Sequence, residues 1–397
     1  MTADTTLPVR SPADLIAAVP YVLGFHPTDS LTVVAVRGTR VIFAARLDLP
    51  APQTPEDETR AEALHVAAVV ARQNVDGVTV IGYGAAERVT PAVRRLAEAV
   101  RAQDISVLDE LRVTDGRFWS YLCRDATCCP PEGRACDTAS SAVAAAATYA
   151  GQVALPDRQS LADLLKPVTG PPREAMVAAT ARALRRLADL TAGLPAPRPD
   201  AVVPPVSADD GGVPRVSADD GGVPRVSADD GGAPSAPAAP SSPGAGSAGP
   251  AVIRAGRAAV RAAVRRHRDG GQLTDDEVAW LGVLLTQLPV RDHAWERIDR
   301  SEWHVPLWTD VLRRVEPIYV PAPACLLSFA AWRSGDGALA CVAVDRARRQ
   351  DPAYPMAGLL GDVLRYALPP SAVDDWPPAE GRHPRAPRRH RRRAIGT

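Results

Sequence analysis

This 397-residue sequence predicts an α/β fold: an N-terminal mixed β-sheet with flanking helices, then an all-helical C-terminal region, with a long disordered linker between. Three observations carry that prediction. Over the first 122 residues, short β-branched runs alternate with segments of helical period. From residue 137 onward every apolar pattern has helical spacing. From about Pro195 to Pro250 that pattern is interrupted by a stretch with no apolar face to bury.

Taken in order, Ser11-Pro12 opens the first helix, with Asp14 in the capping-box position and Pro20 as its limit. Leu31 to Val36 and Val41 to Leu49 read as strands joined by a tight turn at Arg37-Gly38-Thr39. A helix follows Thr54-Pro55, with Leu64, Ala67, Ala68, Ala71 and Val75 as its apolar face, and Gly77 ends it. "VTVIGYG" is a buried strand. Thr90-Pro91 caps the next helix, where Val93, Leu96, Ala97 and Val100 fall at i, i+3, i+4 and i+7. "ISVLDELRVTDGRFWSYL" reads as strand, Asp115-Gly116 turn, strand. Hairpins force antiparallel pairs and crossover helices allow parallel ones, so the sheet is expected to be mixed.

Beyond a cysteine-rich loop, 139–150, 160–165 and 172–190 have helical composition. "VSADDGGVPR" then occurs at Val206 and Val216, and "VSADDGGAPS" at Val226. Units this polar cannot stack as a solenoid, so the stretch is expected to be disordered and to tolerate deletion. Helix resumes near Ile253. Thr274-x-x-Glu277 is a capping box, with Val278, Leu281, Leu285 and Leu288 on one face. Near the end, Gly335 and Asp351-Pro352 divide three helices, and Ala340, Val344, Ala347 and Pro352 have the spacing of a TPR-like helical hairpin. The organisation expected is an α/β domain over 1–136, a helical extension over 137–194, a linker over 195–250, a helical region over 251–370, and a basic tail over 371–397.

Lys+Arg and Asp+Glu are 46 each, so no global field steers the molecule toward nucleic acid or membrane. The balance hides an asymmetry: after Glu380 the chain carries seven arginines and no acid. That tail is expected to be disordered and to make weak, salt-sensitive contact with polyanions. No leader-like or membrane-spanning run appears, so a cytoplasmic location with reduced thiols is expected.

Three stretches, "DLIAAVPYVLGFHPTDSLTVVAV", "DGRFWSYLCRDATCCPPEG" and "AAWRSGDGALACVAVDRARRQDPAYPMAGLL", resemble the DUF4192 family in that order. The family is a set of uncharacterised actinobacterial proteins. The resemblance therefore implies an actinobacterial cytosolic origin, and supplies no activity, cofactor or partner.

The residues themselves offer three places for chemistry. Cys123, Cys128, Cys129 and Cys136 have C-x4-C-C-x6-C spacing, unlike the paired C-x2-C of zinc ribbons. A thiophilic metal, a reactive thiol favoured by Arg124 and Arg134, and a plain Pro/Gly loop with buried thiols are the three readings. Cys325 and Cys341 fall on apolar helix faces and read as core. Gly82 and Gly84, between strand and helix, read as a phosphate-binding turn or as a loop needing glycine. His26, Asp29 and Ser30 either line a pocket with those glycines or form the corner that starts the sheet, through Asp and Ser side-chain bonds to backbone. Strand order is not fixed by the spacing, so the knot at 24–30 and the cysteine loop are not expected to meet. Arg254, Arg257, Arg261, Arg265 and Arg268 form a stripe that meets phosphates or pairs with acids such as Asp275 and Asp276. No convergent acid–base set appears. A non-catalytic binding or regulatory protein is the first expectation; an enzyme or metal-dependent factor with a site built from 24–30, 82–84 and 123–136 is the second.

Overall fold

Ser11 starts the first helix as read: its hydroxyl accepts from the Asp14 N–H at 3.1 Å, and the Asp14 carboxylate accepts from Arg10 N–H at 3.0 Å. The computed structural model, which describes residues 9–38, 40–138, 140–192 and 249–373, continues that helix (α1, Pro12–Leu23) through Pro20. Pro20 was expected to end it. The ring removes one backbone bond, but Val19, Pro20 and Leu23 are all buried, which offsets the loss. Gly24 ends the helix instead, in the left-handed conformation at φ +77°.

Strands β1 (Ser30–Arg37) and β2 (Arg40–Asp48) form the first hairpin. Helix α2 (Glu56–Ala71) then crosses to β3 (Gly77–Tyr83), which lies on the other side of β1, antiparallel to it. Helix α3 (Ala86–Arg101) crosses to β4 (Val107–Thr114), parallel to β3. Strand β5 (Arg117–Ser120) returns antiparallel across Asp115-Gly116, whose φ values of 49° and 69° suit a tight hairpin, and the short β6 (Arg134–Ala135) pairs beyond it. The order β2-β1-β3-β4-β5-β6 makes the sheet mixed, as expected.

Alternation along the strands divides its two faces. Leu31, Val33, Ala35, Val78 and Val80 pack against α2 and α3 through Ala67, Val70, Val89, Val93 and Leu96. Val34, Ile81, Tyr83, Leu111 and Phe118 point to the other side. There they join α1 in one continuous core with all but the first of the later helical segments. Those segments are α4 (Ala142–Tyr149), α5 (Arg158–Asp163), α6 (Pro171–Ala192), α7 (Pro250–Arg268), α8 (Asp275–Leu284), α9 (Leu288–Trp295), α10 (His304–Arg314), α11 (Pro321–Ser334), α12 (Gly337–Gln350) and α13 (Pro355–Arg365); of these, α4 packs on α1 in a small separate cluster through Val143. Polar contacts tie the distant parts together. Val168 N–H donates to Arg313 O at 2.9 Å, Arg158 pairs with Asp345 at 2.7 Å, and His65 of α2 lies 3.2 Å from Arg365 O.

The capping box at Thr274 and Glu277 forms completely. The helical hairpin is α11 and α12, with Gly335 at φ +90° between them and Ala340, Val344 and Ala347 buried. Several boundaries differ from the reading. Helix α3 begins at Ala86, four residues before Thr90, because Val89 is needed in the core and Pro91 is accommodated within its second turn. The buried face of α2 is Ala63, Val66, Ala67 and Val70, and Leu64 is exposed. Leu288 is likewise exposed, at the start of α9 rather than on the face of α8. Cys325 is buried as expected, whereas Cys341 is exposed. The ten-residue repeats and the arginine-rich tail lie outside the described residues. Among the described residues no helix is long and apolar enough to cross a membrane.

Candidate metal centre

The cysteine loop is built on the β4–β5 hairpin. Register places Ser120 opposite Leu111, and the Ser120 hydroxyl donates to Asp109 Oδ1 at 2.6 Å while accepting from the N–H groups of Leu122 and Cys123. That one hydroxyl ends the strand and fixes where Cys123 leaves the sheet. The chain then turns on Asp125. Its carbonyl accepts from Cys128 N–H at 3.1 Å and Cys129 N–H at 2.7 Å, and its carboxylate accepts from Thr127 N–H at 2.8 Å. This tight turn brings the neighbouring Cys128 and Cys129 back onto Cys123.

The return to β6 is pinned to β5. Trp119 Nε1 donates to Pro131 O at 2.9 Å, Arg117 donates to Gly133 O at 2.7 Å, and Gly133 lies flat against the Trp119 ring at φ +77°. A side chain at 133 would overlap that indole, so the loop needs glycine there. Arg112 stacks over the same indole, 3.7 Å from its centroid.

The result is three thiols whose Sγ atoms all lie within 4.8 Å of one another: half-buried Cys123 and Cys129, and exposed Cys128. Three thiolates around one zinc at about 2.3 Å would stand about 3.8 Å apart, so the group needs only to contract by an ångström or less. The thiols differ in character. A backbone hydrogen bond from Asp125, then one from the Cys129 thiol, hold the Cys123 thiol below its ordinary value. Desolvation, and hydrogen bonding to Cys123 and Cys128, push Cys129 up to about 12. Of these two, Cys123 is the more easily ionised, with Cys129 as its hydrogen-bond donor. Arg134 sits beside Cys128, 3.9 Å from its sulfur. Arg124 is exposed and has no described contact with the cluster.

Cys136 does not join them. It is buried beyond β6, where its N–H bonds Gly116 O, and it lies in the core with Tyr83. The structure therefore gathers three of the four cysteines.

The other sequence candidates fall elsewhere. Asp29, at φ +41°, starts β1 at the end of the sheet where β3 finishes, and Arg88 donates to its carboxylate at 3.4 Å. Gly84, at φ +134°, faces the same carboxylate. The knot and the second glycine of "GYG" thus meet, but Gly82 is covered by Val89 and Val93 of α3, and so presents no backbone to a phosphate. His26 N–H pairs with Leu155 O at 2.9 Å, fixing the loop. Ser30 is fully buried, pairs with Tyr83 across the ladder, and its hydroxyl has no protein partner. The cysteine loop leaves the sheet three strands away and from the opposite end of β5, about 14 Å across the sheet.

Sequence reasoning missed the supports of the thiol cluster, Asp109 and Ser120. Their pairing follows from β4–β5 register, which the Asp115-Gly116 turn does specify.

A family model described as a domain of unknown function, DUF4192, matches residues 12–219 and 218–371. No curated protein and no solved structure matches the chain.

Proposed function

This chain belongs to the DUF4192 family, a domain of unknown function, and from that premise we propose that it is a non-catalytic binding protein whose cysteine loop takes up a thiophilic metal ion. One observation carries the reading: the sulfur atoms of Cys123, Cys128 and Cys129 converge within 4.8 Å on a loop that Ser120, Trp119 and Gly133 pin to the sheet. Convergent thiols suit soft or borderline ions, Zn²⁺ or Cu⁺, over Mg²⁺ or Ca²⁺. A backbone N–H already directed at Cys123 supports its charged form, as a metal-bound thiolate requires. Asp125, the acid beside Cys123, has its carboxylate engaged by Thr127 N–H, which favours binding over hydrolysis at the metal.

Cd²⁺ titration of the reduced full chain tests the reading through its ultraviolet thiolate-to-metal absorption. One equivalent should saturate the signal. Cys123→Ser, Cys128→Ser and Cys129→Ser should each weaken binding at least tenfold, while Cys136→Ser leaves it unchanged. An unaltered titration in the triple variant, or dependence on Cys136 instead, would refute the site.

A further inference from the structure

The basic stripe on α7 has surroundings that the sequence did not foretell. Arg254, Arg257, Arg261 and Arg265 are all exposed, opposite buried Val252, Gly256, Val260 and Ala263. The acids expected to neutralise them are engaged elsewhere. Asp275 pairs with Arg314 at 2.5 Å and Asp276 with Arg182 at 2.7 Å. Among the described residues, ion pairs from α7 are confined to its last turn: Arg266 with Glu277 at 3.0 Å and Arg268 with Asp269 at 3.4 Å.

Helix α9 adds to the charge. Gly256 lets α7 approach it so closely that a methyl at that position would overlap Val290. One turn further on, Arg257 and Arg261 come within electrostatic reach of His293 and Arg297. Arg297 Nη1 lies 3.0 Å from His293 Nδ1. A guanidinium only donates, so Nδ1 accepts and the ring proton sits on Nε2. The buried ring therefore stays neutral and adds no charge of its own to the arginines. Glu296 pairs with Arg297, at 3.9 Å.

We propose that Arg254, Arg257, Arg261 and Arg265 of α7, with Arg297 of α9, form a binding face for the phosphodiester backbone of a nucleic acid. At 1.5 Å per residue the four α7 arginines extend over about 16 Å, an open track rather than a pocket. A track fits a polymer of repeating phosphates better than a single small phosphorylated molecule. The shallow recess at its C-terminal end is lined by Asp269 and Glu277 as well as Arg265 and Arg266, which makes that end a poor anion pocket. Guanidinium forks match phosphate oxygens two at a time, and contacts of this type position a duplex without reading its sequence.

The test is equilibrium binding of the full chain to a labelled duplex DNA and to a labelled single-stranded RNA across a salt series. Each phosphate contact contributes about 0.9 to the slope of log affinity against log salt on duplex DNA. Joint Arg254→Gln, Arg257→Gln and Arg261→Gln should flatten that slope by about two to three, and the corresponding lysine variant should retain most of it. Glutamines at exposed Arg60, Arg185 and Arg349 should leave it nearly unchanged. The α7 effect should persist in a chain truncated after Glu380, which separates it from the arginine tail. Far-ultraviolet circular dichroism confirms that the variants fold. An unchanged slope in the α7 variant overturns the proposal, as does no binding by the full chain at low salt. Binding that disappears with the tail alone overturns it too. So does competition by inorganic phosphate or by polyglutamate as effective as that by DNA, which would mark a small-anion site or an acidic protein partner.

Discussion

Replacing Gly82 by alanine decides whether "GYG" is a ligand turn or a packing site. In isolation the change should stabilise, because alanine has fewer unfolded conformations to lose, worth about 0.4–1 kcal/mol. The surroundings reverse the sign. A methyl at 82 would overlap a Val89 methyl outright and stand 2.8 Å from Val93 Cγ2 and 3.4 Å from Leu31 Cδ2. Val89 and Val93 are fully buried and β-branched, so neither can rotate away without a new clash. Extra methylenes in such a core cost about 1–3 kcal/mol. The net expectation is a loss of about 1–2 kcal/mol. Gly358 in α13 serves as the control of opposite sign: nothing lies within 4 Å of its added Cβ, so Gly358→Ala should gain up to about 1 kcal/mol from helix propensity. Urea unfolding followed by circular dichroism measures both, with the midpoint moving at constant slope. Equal or greater stability of Gly82→Ala would refute the packing account and restore the phosphate-binding turn.

Two further outcomes follow from the helical half. His293 is held down to about 4 by desolvation first, then by Arg297, Arg257 and Arg261. Its contribution is complete above the unfolded value near 6.5 and is lost as pH falls from there toward 4, at no more than about 1.4 kcal/mol per pH unit. His293→Gln should be less acid-sensitive than the parent in urea titrations across that window; parallel pH profiles would sink this assignment. Arg314 is mostly buried and donates to Leu273 O, Asp310 and Asp275 at once. Because both acids are partly exposed, Arg314→Ala should cost about 2 kcal/mol, and Arg314→Lys should recover only part, since one ammonium cannot span all three acceptors. A loss under 0.5 kcal/mol, measured in the same way, contradicts that.

The elements that local chemistry specifies were legible. The Ser11 and Thr274 caps, the Asp115-Gly116 turn, and the Gly335 break each depend on residues within a few positions of one another. Failures came where tertiary packing outweighed local signals. Pro20 and Pro91 look like boundaries, yet both lie inside helices, because the flanking Val19, Leu23 and Val89 are required in the core. Leu64 and Leu288 look like core residues and face outward, since the neighbouring elements lie on other sides of their helices. At the thiol cluster, the sequence shows four cysteines but not which three converge. That depends on the turn at Asp125 and on the β4–β5 register. The exclusion of Cys136 follows from strand β6, which is only two residues long and carries no pattern. The charge on α7 was visible, but the engagement of Asp275 and Asp276 by other arginines was not, because Arg182 and Arg314 come from segments far away in the chain.

Helix α6 has a consequence for how the protein is made. Its buried apolar residues, Met176, Ala179 and Ala183, share one core with α7, α8 and the helices after them. A ribosome adding about 5–20 residues per second finishes Ala192 roughly 10–35 s before it finishes Arg365. Throughout that interval the nascent chain holds an apolar helix face, and a sheet face behind α1, whose remaining partners have not been synthesised. Such a chain depends on shielding during translation more than one whose sheet closes with its own neighbours, and slowing elongation should raise its yield of aggregate.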